Sequence, residues 1–214
     1  MPVLELPHGF AINYEEWGDP QAPGVLLLHG FTADLRSWAE HVEGLSEDYR
    51  VVAMDLRGHG RTTAPEDDAE YSIGAFVEDV KALADRVGFG LFALVGSSFG
   101  GMVALEFAVT WPERLAALVA SDTSGAYDDH RYDARYWERE RAIAANEETV
   151  RKVGTGGLGK QLASSLDDEF LRNAMVRRYS RLSPEGFLGT ARARRERRNL
   201  LPLLSDRLSM PVLV

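Results

Sequence analysis

Apolar and polar positions change period repeatedly along this chain, and the changes mark out its elements. Over 10–17, Phe10, Ile12 and Tyr14 fall on one side, the period-two pattern of a strand. Gly18-Asp-Pro-Gln-Ala-Pro-Gly24 is a turn cluster. Residues 25–28 are continuously apolar, as in a parallel strand covered on both faces. Ser37-Trp-Ala-Glu40 is a capping box, predicting a helix to about Leu45. Residues 51–54 read as the next strand, and 56–70, rich in Gly, Thr, Pro and acid, as loop. Ser72 is placed to cap a helix whose apolar residues Ile73, Phe76, Val77, Val80, Leu83, Ala84 and Val87 keep one face. Gly88 and Gly90 end it. A strand over 91–95, a helix over 100–110 stopped before Pro112, and a strand over 115–120 complete the alternation. Strand and helix alternating in this way predict an α/β fold with a mostly parallel sheet and flanking helices.

After Asp122 the pattern turns polar and helical, with helices predicted over 136–153, 168–179 and 184–204. A strand pattern returns only near Val212. The expected organisation is a core over 1–122, a helical lid insertion over 123–204, and the start of a returning core strand over 205–214. The chain ends inside that strand, so a fragment lacking a final strand and helix is the expectation.

Composition narrows the picture. The 214 residues are 45% hydrophobic and 27% charged, which suits one globular domain and excludes disorder. The absence of cysteine removes a disulfide framework, a thiolate metal site and a cysteine nucleophile. A net charge of -9 makes nucleic acid and anionic membrane poor partners. No signal peptide or membrane-length apolar run is visible, so a cytoplasmic protein is expected.

The candidate chemistry lies at Gly96-Ser-Ser-Phe-Gly100, between the strand over 91–95 and the helix over 100–110. This is G-x-S-x-G in its required context of strand, sharp turn and helix. Small residues must flank so tight a turn, and Ser98 then stands at its tip as the candidate catalytic nucleophile. The N-terminus of the following helix favours an oxyanion, and the Phe99 N–H is one candidate donor. His29-Gly-Phe31 follows the strand over 25–28, and the Phe31 N–H is the second candidate donor. His29 itself reads as a structural histidine.

The segments Leu27-Leu-His-Gly-Phe-Thr32, Asp55-Leu-Arg-Gly-His-Gly60, Val95-Gly-Ser-Ser-Phe-Gly-Gly101, Trp111-Pro-Glu-Arg-Leu115 and Leu118-Val-Ala-Ser-Asp-Thr123 resemble the α/β-hydrolase family. The resemblance spans essentially the whole chain. It implies a serine hydrolase of an ester, lactone or related acyl compound, working through an acyl-serine intermediate with no metal or organic cofactor. Within the family the chain looks similar to enol-lactonase and carboxylesterase-like members. Serine at the elbow argues against haloalkane dehalogenases and epoxide hydrolases, which use aspartate there. Carbon–carbon hydrolases, acyltransferases and cofactor-free haloperoxidases share the machinery and stay open, as does a non-catalytic binding protein.

The family order of nucleophile, acid and histidine places the acid and histidine beyond Val214. Asp122 follows a strand where some members place the acid, but reads as a structural aspartate capping a turn. His130 reads as an exposed polar residue. Two other features carry bland expectations. Gly154-Thr-Gly-Gly-Leu-Gly-Lys160 matches phosphate-loop patterns but follows a helix and has Gln161 where Ser or Thr is needed, so it reads as a flexible hinge. Arg192, Arg194, Arg195, Arg197 and Arg198, preceded by Arg177, Arg178 and Arg181, could bind an anionic substrate or partner but read as a solvated helix face, with Glu196 and the acidic body as counter-charge. Trp38, Phe99, Tyr127, Tyr136 and Trp137 are candidates to line an apolar pocket.

Overall fold

The continuous apolar runs become inner strands because each of their two faces meets a separate core. The computed structural model describes residues 2–214, with Met1 outside the described residues. Strand β3 (Gly24–Leu28) lies between β4 (Arg50–Met54) and β5 (Phe92–Ser97), parallel to both. Leu26, Leu28, Val52 and Met54 point into one apolar cluster, while Val25, Leu27, Val51 and Ala53 point into another. The period of two therefore sends alternate residues to opposite faces, and both faces are covered.

Among the described residues seven strands form one sheet in the order β1-β2-β4-β3-β5-β6-β7. Strands β1 (Val3–Glu5) and β2 (Ala11–Trp17) run antiparallel at one edge, and β6 (Leu115–Ser121) and β7 (Val212–Leu213) are parallel at the other. The register aligns Leu28 with both Met54 and Gly96. The loops that follow these three strands consequently open onto one rim of the sheet.

Helices α2 (Ile73–Arg86) and α3 (Phe99–Thr110) cover the first face, with Phe76 and Phe99 in edge-to-face contact at 4.9 Å. Helix α1 (Ala39–Leu45) contributes Val42 to the other. Between β6 and β7 the chain forms α4 (Ala134–Ala163), α5 (Glu169–Tyr179), α6 (Pro184–Glu196) and α7 (Leu201–Arg207). This helical insertion has a small core of its own, Val150, Leu158, Tyr179, Leu182 and Phe187, against which Phe31 of the sheet rim packs. It approaches the rim most closely where Gly58, at φ 74°, faces Gly186; a Cβ on either would collide with the other's backbone.

The structure departs from the sequence pattern in several places. Strand β1 has too few residues to show a period and was not expected. Ser37 caps nothing: Asp34 accepts from the Arg36 N–H, and a short 3-10 turn over Leu35–Trp38 precedes α1. Ser72 does cap α2, accepting from the Ala75 N–H at 3.1 Å. The segment Gly154 to Lys160 is no loose hinge; only Gly154, at φ 71°, leaves the helical region, and α4 resumes through Ala163. One helix expected over 184–204 is two, because Arg197 adopts extended backbone.

Candidate active site

Strand β5 runs into α3 with one residue between them, and that residue is Ser98. Its backbone sits at φ 51° and ψ -111°, a region that costs a non-glycine residue roughly 1–3 kcal/mol. Three hydrogen bonds hold it there. The Ser98 N–H donates to the Ser121 carbonyl at 2.8 Å. The Ser98 carbonyl accepts from the Thr123 hydroxyl at 2.7 Å and from the Met102 N–H at 3.1 Å. Glycine is required on either side: a Cβ at Gly96 would strike the Gly100 carbonyl, and one at Gly100 would strike the Leu28 carbonyl. The turn thus presses against β3 and leaves the Ser98 side chain half-buried at the rim.

The rim loop after β3 faces it. An ideal Cβ at Gly30 would lie 3.4 Å from the Ser98 Cβ. Phe31 and Ser98 together line two cavities, of about 220 Å³ and 620 Å³. The first residue of α3, Phe99, has its N–H at the helix start, where no carbonyl one turn back is available within the helix. Its ring is fully buried in the core and lines neither cavity. Arg178 of α5 reaches the same loop, donating from Nε to the Thr32 carbonyl at 2.9 Å and from Nη2 to the Phe31 carbonyl at 3.1 Å.

The buried histidines are fixed as neutral groups. The His29 Nε2 accepts from the Leu56 N–H at 2.9 Å, which leaves Nδ1 to donate to the Gly30 carbonyl at 2.8 Å. Burial holds its pKa down at about 4. The neighbouring His59 ring lies 5.1 Å away, and burial, then the repulsion that protonating it beside a protonated His29 would meet, holds its pKa at about 3. His29 is therefore structural, as its sequence position suggested. Asp55 anchors the same loops: its carboxylate accepts from the Leu35 N–H, the Arg61 N–H and the Asn13 amide at 2.8–2.9 Å.

Asp122 is exposed at φ 46° and lines the larger cavity with Ser98. Among the described residues no hydrogen bond reaches its carboxylate, so it does not cap a turn as expected. His130 is exposed, with 91% of its side chain accessible. His41, which the sequence reading passed over, lines the larger cavity beside Trp38. Tyr127, Tyr136 and Trp137 pack on one another and line neither cavity.

The arginine series is not a solvated face. Arg194 is 3% exposed, Arg192, Arg195 and Arg197 are half-buried, and only Arg198 is exposed. Arg194 pairs with Glu140, Arg195 with Glu147 and Arg198 with Glu106. Helix α6 turns Arg194 and Arg195 toward acidic residues of α4, and Arg198, beyond its end, meets Glu106 of α3. Among the described residues no group of three or more His, Cys, Asp or Glu is arranged to hold a metal ion. No helix among them is long and apolar enough to cross a membrane.

The strand order, the strained serine between strand and helix, and the facing loop define a class, and comparison with known proteins places the chain in it. It belongs to the alpha/beta hydrolase fold family, whose model matches residues 23–201. It is similar to epoxide hydrolase 4 of Mus musculus, 36% identical over 111 residues, 52% of this chain and 31% of that one. The chain therefore spans about a third of that relative's length. Solved structures resemble nearly all of it. A structure from work on carboxylesterases of Nitrososphaera gargenis has a TM-score of 0.83 at 21% identity, covering 99% of this chain and 78% of that one. A thermophilic esterase from Thermogutta terrifontis has a TM-score of 0.79 at 27% identity, covering 99% of this chain and 78% of that one.

Proposed function

We propose that the protein is a serine hydrolase acting on an ester, lactone or related acyl compound, with Ser98 as the nucleophile. The observation that carries this reading is the Ser98 backbone: a costly conformation, held by three hydrogen bonds, in a residue that lines two cavities. Strain of this kind persists only where the surroundings over-determine it. In the proposed reaction the Ser98 Oγ attacks the acyl carbonyl. The Phe31 and Phe99 N–H groups donate to the developing oxyanion, and the leaving group departs as the alcohol, carrying the proton that Ser98 gives up, to leave an acyl-serine. Water then releases the acid. The helical insertion acts as a lid over this site. No metal or organic cofactor is needed for these steps.

Similarity to an epoxide hydrolase does not make this chain one, since the residue at its elbow is serine rather than aspartate. An esterase at 27% identity supports acyl chemistry on the same frame. A complete triad also needs a histidine and an acid. Among the described residues no histidine is hydrogen-bonded to Ser98; His29 spends both ring nitrogens on the backbone, while His59 meets the Arg57 carbonyl through Nδ1 and has Nε2 buried without a partner. In a serine protease, removing the triad histidine alone costs about 10⁶-fold in turnover while binding and oxyanion stabilisation remain. That histidine serves acylation as well as deacylation, so residues 1–214 are expected to be acylated at Ser98 only slowly and to turn over poorly.

The test is labelling with a fluorophosphonate. Labelled Ser98 in the wild type, absent in Ser98→Ala, is the expected result. A folded chain that leaves Ser98 unlabelled while binding small apolar ligands contradicts it and favours a non-catalytic binding protein, the reading that the unpaired Ser98 hydroxyl keeps open.

A further inference from the structure

The arginine at position 194 is buried in an unusual way. Its side chain is 4% exposed, yet of its five N–H donors the guanidinium commits Nη2 to Glu140 and leaves Nη1 buried without a partner. A buried donor on a charged group is costly to leave unpaired. The same side chain lines the smaller cavity with Ser98, and its Cζ stands 5.6 Å from the centroid of the Phe31 ring. Arg139, Thr32 and Asn146 line that cavity too, and no carboxylate does. Glu140 lies behind, between the two guanidiniums, 3.8 Å from the Arg139 Nε. The lining therefore offers, besides Ser98, two guanidiniums against one shared carboxylate, with the Arg194 Nη1 left without a partner.

From this geometry we infer that the smaller cavity is a carboxylate-binding subsite. Arg194 there holds the distal carboxylate of a short acyl substrate whose carbonyl is presented to Ser98. The inference deepens the serine-hydrolase reading and rests on it for the identity of the reacting end. A carboxylate oxygen supplies the acceptor that Nη1 lacks, and a guanidinium binds such a group with charge-assisted hydrogen bonds. The volume of about 220 Å³ sets the size. Pockets for drug-sized ligands run about 300–1,000 Å³, so this one suits a short dicarboxylic half-ester or an equivalent lactone acid rather than a long acyl chain.

Calorimetric titration of the chain with monomethyl glutarate and with dimethyl glutarate tests the subsite without requiring turnover. The half-ester is expected to bind about tenfold more tightly than the neutral diester, the scale of one charge-assisted contact. Arg194→Lys should keep part of that preference. Arg194→Met combined with Glu140→Met should remove it while keeping the fold, because replacing both members of a buried ion pair with apolar groups avoids an orphan charge. Equal binding of the two ligands by the wild type overturns the inference. So does a preference that survives the double variant, or one lost in Arg139→Ala with Arg194 intact. Fluorophosphonate labelling of Ser98 is read in parallel. Carboxylate preference without labelling condemns the serine reading alone, and labelling without preference condemns the subsite alone.

Discussion

At Ser98 a single residue carries the backbone strain on which its proposed chemistry rests. At most sites a glycine is less stable than an alanine by roughly 0.5–1 kcal/mol, because glycine loses more chain entropy on folding. At φ 51° the order should reverse. Ser98→Gly is expected to be more stable than Ser98→Ala by about 1 kcal/mol in urea denaturation, with both unlabelled by fluorophosphonate. Equal stabilities would mean the turn is not strained. The buried histidines make a second prediction. Their folded pKa values, about 4 and about 3, lie below the about 6.5 of an exposed imidazole. The neutral rings contribute fully above about 6.5. As pH falls below that value the unfolded chain takes up protons that the folded one refuses, so stability is lost toward the folded pKa values. The slope reaches about 1.4 kcal/mol per pH unit for each histidine. Protonation of His29 would also remove the lone pair that accepts from Leu56. Denaturation midpoints between pH 7 and pH 5 should fall less steeply in His59→Leu than in the wild type, and identical slopes would contradict this.

At the scale of elements, the strands and amphipathic helices were legible in the sequence because their periods are set by two opposed cores. The α2 stripe from Ile73 to Val87 is buried as read, and Ser72 caps it. The helical insertion was legible in its existence but not in its facing. Arg192 to Arg198 gave no apolar stripe, since α6 buries charge against charge, and a guanidinium paired to Glu140 looks in sequence like one facing water. The capping box at Ser37 was overridden by Asp34, whose carboxylate takes the Arg36 N–H and side chain together. Arg178 showed in the sequence only as one member of a basic cluster, because its partners are two carbonyls 146 and 147 residues away. Its position predicts a coupling of the insertion to the loop carrying Phe31. Arg178→Met should slow fluorophosphonate labelling of Ser98 about tenfold, equivalent to about 1.4 kcal/mol, one charge-assisted hydrogen bond. An unchanged labelling rate would show that α5 does not position that loop.

For the molecule as a whole, parallel register brings the ends of β3, β4 and β5 to one rim, and everything proposed to react lies on it. The elbow at Ser98 and the loop at Phe31 were visible in the sequence because each sits directly after a strand, where local pattern fixes position. Asp122 and His41 join Ser98 around the larger cavity only through the sheet order, which no local pattern encodes. The account stands on one event, acyl transfer to Ser98. The direct measurement is intact-mass and peptide mapping of the chain after exposure to p-nitrophenyl acetate. It should show one acetyl group building up slowly on the peptide holding Ser98, since among the described residues neither acylation nor deacylation has a paired histidine, and none in Ser98→Ala. Acetylation distributed over lysines, with Ser98 unmodified in a folded chain, would contradict it.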